Sequence, residues 1–114
     1  MSMLDWNSYR SELRQGFGEL SKLNPPTIKG YAALNEAPPN AAVDPKTREL
    51  IALAVAVTLR CDGCITFHTE AAVKHGATRA EIAEALGVAT SVNAGAAIIY
   101  SLRTLDAHAA LETA

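Results

Sequence analysis

From Trp6 onward the apolar residues Trp6, Tyr9, Leu13, Phe17 and Leu20 recur at steps of three and four. That spacing gathers them on one side of a helix and predicts an amphipathic first helix from Asp5 to about Leu23. Asn24-Pro25-Pro26 ends it, because a proline donates no backbone hydrogen bond and restrains the residue before it. A short helix from Thr27 to about Asn35 follows. The prolines of the stretch Ala37 to Val43 then mark a loop, and Asp44-Pro45 reads as an N-cap followed by proline at the first helical position. The helix opened there runs from Lys46 to about Arg60. Leu50, Ile51, Leu53, Ala54, Val55 and Val57 cover most of its circumference, which predicts a central, largely enclosed element. A strand over Val55 to Leu59 is the rival reading, and the segment's length and proline start favour helix.

After Cys61-Asp62-Gly63 the pattern predicts a helix from Cys64 to about His75, with Gly76 placed as its left-handed terminal residue. Thr78-Arg79-Ala80-Glu81 has the spacing of a capping box, in which threonine and glutamate each satisfy a free amide. Helical spacing continues from Arg79 to about Ala110 through Ile82, Leu86, Ala89, Asn93 and Leu102, with a break expected near Gly87. The fold class expected is all-α. Without an internal repeat or a linker, residues 1–114 read as one domain.

Composition adds to this picture in three ways. A chain of 114 residues and 12.0 kDa buries roughly 60–70% of its unfolded surface, so a core is feasible without staples. Hydrophobic residues make up 49% and charged ones 19%, rich for so small a body, and the excess predicts apolar surface buried between subunits of a homo-oligomer. The formal charge of -2 is mixed along the chain, which excludes the basic stripe of a nucleic-acid binder. The polar start Met1-Ser2-Met3-Leu4-Asp5 does not resemble a signal peptide, so the mature chain is expected to start here. The longest apolar run, Ile51 to Leu59, is about half of the ~20 residues a membrane span needs. A cytoplasmic protein that does not engage a membrane is the expectation.

Two cysteines separated by two residues in such a chain point to a redox or metal pair. Cys61, Cys64 and His68 fall within a roughly 60° arc if one helix carries all three. A thiol with a free pKa near ~8.5 attacks a peroxide or disulfide only as its thiolate. A helix N-terminus, at ~0.3–1 kcal/mol, shifts that equilibrium by less than one unit. An activator is therefore needed, and His68, one turn beyond Cys64, can stabilise the thiolate or accept its proton. The second thiol resolves a sulfenic acid formed on the first. A rival reading makes Cys61, Cys64 and His68 zinc ligands, with Glu49 completing the tetrahedron, although structural zinc sites usually draw on two separated ligand pairs. Glu49 is either a solvated helix position near Lys46 and Arg48 or, beside the thiols, a proton relay.

Lys46-Thr47-Arg48-Glu49-Leu50-Ile51-Ala52-Leu53-Ala54, then Cys61-x-x-Cys64-x-x-x-His68, then Gly76-Ala77-Thr78 and Glu81-Ile82 resemble the carboxymuconolactone decarboxylase superfamily, and more narrowly its AhpD-like alkylhydroperoxidase branch. The resemblance spans about residues 44–105. It implies an all-helical bundle that assembles into trimers or hexamers, with the thiol pair near a helix start. It also implies that Cys64 attacks a peroxide or disulfide substrate, that Cys61 resolves the product, that Glu49 and His68 relay the proton, and that an external thiol reductant regenerates the pair without a metal or organic cofactor. Better-studied members of that branch carry a histidine immediately before the second cysteine, where this chain has Gly63. The lactone decarboxylase branch implies another chemistry, a small-molecule lyase using Glu49 and His68 while the cysteines stand by.

Overall fold

The computed structural model describes residues 2–113, so Met1 and Ala114, the two ends of the expected domain, lie outside it. Five helices and no strand are found among the described residues: α1 (Trp6–Leu23), α2 (Pro25–Asn35), α3 (Pro45–Leu59), α4 (Asp62–Lys74) and α5 (Arg79–Glu112). The segment Val55 to Leu59 is helical throughout. The expected stop at Asn24-Pro25-Pro26 is also a start, because both prolines occupy the first turn of α2, where a missing N–H costs nothing. Asp44 caps α3 by accepting from the Thr47 amide at 2.7 Å. The Thr47 hydroxyl and amide beside it hold the Asp44 carboxyl below its usual value.

The helices pack mainly in the order α2, α1, α4, α3, α5, with one further tie where Arg48 of α3 donates to Asn35 O at the end of α2. The α1–α2 hairpin is fastened to α4 through Arg10, whose Nη1 donates to the buried Thr66 hydroxyl at 3.0 Å and whose Nε lies 3.0 Å from Glu70. Arg14 reaches the same Glu70 carboxylate at 2.5 Å. At the other end of the order, Lys46 of α3 pairs with Glu81 of α5 at 2.7 Å. That bond raises the lysine's pKa and, with the Thr78 amide, lowers the glutamate's.

Two expectations, the enclosure of α3 and a break near Gly87, are not met. On α3 only Leu53 and Ala56 are buried, while Ile51, Val55 and Leu59 stand more than half exposed. α5 runs unbroken through Gly87 for 34 residues, about 51 Å at 1.5 Å per residue. Along it Val88, Val92, Ile98, Ile99, Leu102 and Leu105 are exposed. The radius of gyration is 19.1 Å, against about 13 Å for a compact chain of this length. By length and composition alone α5 could also cross a membrane. The sequence reading did not find this because Thr90, Ser91 and Asn93 interrupt the apolar run. Core helices of water-soluble proteins share that property, and Asn93 is engaged with protein, donating to the Thr58 hydroxyl of α3 at 2.9 Å and to Ala89 O at 2.7 Å.

Candidate functional site

The site begins where α3 stops. Arg60 adopts left-handed backbone (φ 55°, ψ 48°). Its amide donates to Val57 O at 3.2 Å and the Cys61 amide to Ala56 O at 3.1 Å, the paired bonds of a Schellman turn. The turn delivers Cys61, in extended conformation, as the N-cap of α4. Its Sγ accepts from the Cys64 amide at 3.2 Å and is bonded to Cys64 Sγ, with the two Cα atoms 5.2 Å apart. Cys61 therefore precedes the helix instead of sharing its periodicity. The expected common arc holds only for Cys64 and His68, one turn apart on α4.

The residue between them and the N-cap bears on a departure noted above. A Cβ on Gly63 would lie 3.2 Å from Leu13 Cδ1, closer than side chains ordinarily pack. A side chain at this position requires the end of Leu13 on α1 to give by a few tenths of an ångström.

Glu49 of α3 and His68 of α4 meet through His68 Nδ1 and Glu49 Oε2 at 2.7 Å, with side chains 18% and 28% exposed respectively. Glu49 is thus turned inward and is not a solvated helix position. An ionised carboxylate only accepts, so Nδ1–H donates and Nε2 is left to handle a proton elsewhere. The other histidines are apart from this pair: His75 is the C-cap of α4, and His108 pairs with Glu112 on the exposed end of α5. Among the described residues no three of histidine, cysteine, aspartate and glutamate converge on a metal position. The two sulfurs, bonded to each other, are not thiolate ligands in this state.

A cavity of about 750 Å³ opens between the α1–α2 hairpin and the α3–α4 pair. Phe17 and Tyr31 from the hairpin, stacked at 5.9 Å, form one wall, and Phe67 of α4 meets Phe17 edge-on at 6.2 Å. Glu49 and His68 line the opposite side, Arg14 and Arg48 contribute charge, and neither cysteine is among the lining residues. Sequence reasoning placed Phe17 on a helical stripe and passed over Tyr31, Phe67 and Arg48 as site residues. Periodicity marks an apolar face but does not distinguish one that meets a helix from one that meets a void.

Residues 25–107 match the model of the carboxymuconolactone decarboxylase family. An uncharacterized protein from Haemophilus influenzae is 53% identical over 91% of this chain and 93% of its own length. A protein from Paracoccus denitrificans described as uncharacterized protein 4 in the cox locus is 36% identical over 77% of this chain and 80% of its own. Among solved structures, an apo carboxymuconolactone decarboxylase family protein from Legionella pneumophila superposes with a TM-score of 0.72 at 35% identity, covering 85% of this chain and 88% of that one.

Proposed function

The chain belongs to the carboxymuconolactone decarboxylase family, and from that premise we propose that it is a dithiol peroxidase or disulfide reductase of the AhpD-like type. The observation that carries the reading is the closed Cys61–Cys64 bond at the start of α4. Cys64, its proton taken by His68, attacks the peroxide oxygen. The O–O bond breaks, an alcohol or water leaves, and a sulfenic acid remains on Cys64. Cys61 attacks that sulfur, water departs, and the disulfide forms. Two equivalents of an external thiol return the pair to dithiol as they become a disulfide themselves, and the reducing cytoplasm is the setting in which such a donor is supplied. The Glu49 carboxylate fixes the hydrogen on Nδ1 and so leaves Nε2 of His68 as the base.

Peroxide titration with thiol counting tests this. Wild type is expected to lose both thiols and gain the Cys61–Cys64 bridge, Cys64→Ser to react slowly, and Cys61→Ser to accumulate a sulfenic acid. Equal thiol loss in all three without a bridge would sink the reading.

A second reading is favoured by the cavity, which Glu49 and His68 line and the cysteines do not: acid–base chemistry of the lyase type on a carbon substrate. Turnover that survives a Cys61→Ser/Cys64→Ser double change would select it.

We propose further that the working form is a homo-oligomer. The accessible surface is 8873 Å², against about 6,000 Å² for a folded monomer of this mass. The difference is of the size that permanent interfaces bury, and it coincides with the exposed apolar faces of α3 and α5. Light scattering after size exclusion should give a multiple of 12.0 kDa, and Val92→Glu/Ile99→Glu should return the monomer mass. A wild-type monomer at micromolar concentration would overturn this.

A further inference from the structure

The cavity holds a charge for which the redox cycle has no use. Arg48 lines it from α3, and its Nη2 donates to Asn35 O and Glu36 O, each at 3.2 Å. A guanidinium has five N–H donors. Among the described residues Nη1 and Nε of Arg48 have no protein acceptor, and no carboxylate lies within ion-pair distance of Arg48. Arg14 on the facing helix shares the single Glu70 carboxylate with Arg10 and lies 5.4 Å over the Phe67 ring. The only acid lining the cavity, Glu49, is engaged with His68. The walls therefore present two cations to one committed anion beside a half-exposed aromatic surface of Phe17, Tyr31 and Phe67.

We propose that this cavity binds an apolar monocarboxylate, with one carboxylate oxygen on Nη1 of Arg48 and its aryl or short acyl body among Phe17, Tyr31 and Phe67. A charge-assisted hydrogen bond from Nη1 is stronger than one between neutral groups, and the partly enclosed site strengthens it relative to open water. The body of such a ligand gains from leaving water among three rings. The volume lies within the range of small-molecule sites. So placed, the ligand lies alongside the Glu49–His68 pair, at hand for either chemistry proposed above, while its binding itself requires no thiol.

The test is isothermal titration calorimetry on the full chain in its disulfide form, with 4-phenylbutyrate and its uncharged amide as probes. The acid is expected to bind saturably, once per chain, at least tenfold more tightly than the amide. Arg48→Met should abolish that preference, Arg48→Lys should keep part of it, and Phe67→Ala should weaken both probes alike. Because Arg48 also holds the end of α2, each variant is checked by circular dichroism, and the acid–amide comparison on wild type stands even if Arg48→Met fails to fold. Equal affinities in wild type, the absence of saturable heat, or a preference that survives in folded Arg48→Met would overturn the proposal. Binding that persists in Cys61→Ser/Cys64→Ser would show that it stands apart from the redox reading, whichever way the peroxide titration falls. Loss of binding in that double variant, once shown to be folded, would count against it.

Discussion

The turn from α3 to α4 and the turn from α4 to α5 are built on one plan. Each begins with a Schellman pair, Arg60 and Cys61 donating to Val57 and Ala56 in the first, Gly76 and Ala77 to Val73 and Ala72 in the second. Each continues with an N-cap side chain that accepts from the amide three residues on, Cys61 Sγ from Cys64 and Thr78 Oγ1 from Glu81. In the second turn the Glu81 carboxylate reaches back to the Thr78 amide at 2.9 Å and closes a capping box. In the first, the residue three places on reaches back through a covalent bond between sulfurs. The difference is one of reversibility: a hydrogen-bonded box needs no reagent, whereas the sulfur version opens and closes with electrons. It also differs in ease, for the left-handed position is glycine in the second turn and arginine in the first, with φ values of 86° and 55°.

The comparison can be broken at several points. Reducing the disulfide should cost most, about 2 kcal/mol from the closure entropy of so short a loop. Urea titrations with and without reductant measure it, and a smaller loss than that from Thr78→Ala would contradict the ranking. Gly76→Ala follows at about 1–2 kcal/mol, the cost of a Cβ in left-handed backbone, read as a lowered urea midpoint. Thr78→Ala should cost about 1 kcal/mol. Its counterpart in the first turn is sharper: in a Cys64→Ala background, Cys61→Ser should be more stable than Cys61→Ala, because serine still caps the helix. Arg60→Gly should act in the opposite sense and stabilise by less than about 1 kcal/mol, since relief of left-handed strain is partly offset by glycine's unfolded entropy.

The smallest effect is one of pH and is confined to the second turn. Glu81 is held below its usual value of 4.5 by Lys46 first and then by the Thr78 amide. Its stabilising contribution is therefore complete above pH 4.5 and fades as the pH falls through the lowered value. Lys46, raised above 10.5 chiefly by its hydrogen bond to Glu81, contributes below pH 10.5 and loses that contribution as the pH rises through the higher value. Glu81→Gln should reduce the acid-side dependence in thermal melts taken across pH 3 to 5 at low salt, leaving the part that the lowered Asp44 contributes.

These two turns also show how far the sequence could be read. Threonine and glutamate three apart are a capping signal, and Gly76 is a helix stop, so the second turn was legible residue by residue. The first was legible as chemistry but not as geometry, because cysteine is not a customary cap and arginine is not a customary left-handed residue. The Glu49–His68 contact joins two helices: the residues offered a relay role for Glu49 as one of two readings, and the family resemblance favoured it. The cavity draws on Phe17, Tyr31, Arg48 and Phe67, which are distant in sequence and share no local pattern. The enclosure expected of α3 rested on an apolar circumference, and a single copy of the chain does not supply enough surface to cover it.

The contact between Leu13 and Gly63 ties two distant positions to one parcel of space. A side chain at 63 asks the end of Leu13 to move aside, so a shorter residue at 13 should make a larger one at 63 easier to accept. Gly63→His should be rescued by Leu13→Ala, which would make the first helix a trading partner of the cysteine motif, able to yield room for a residue that this chain does without.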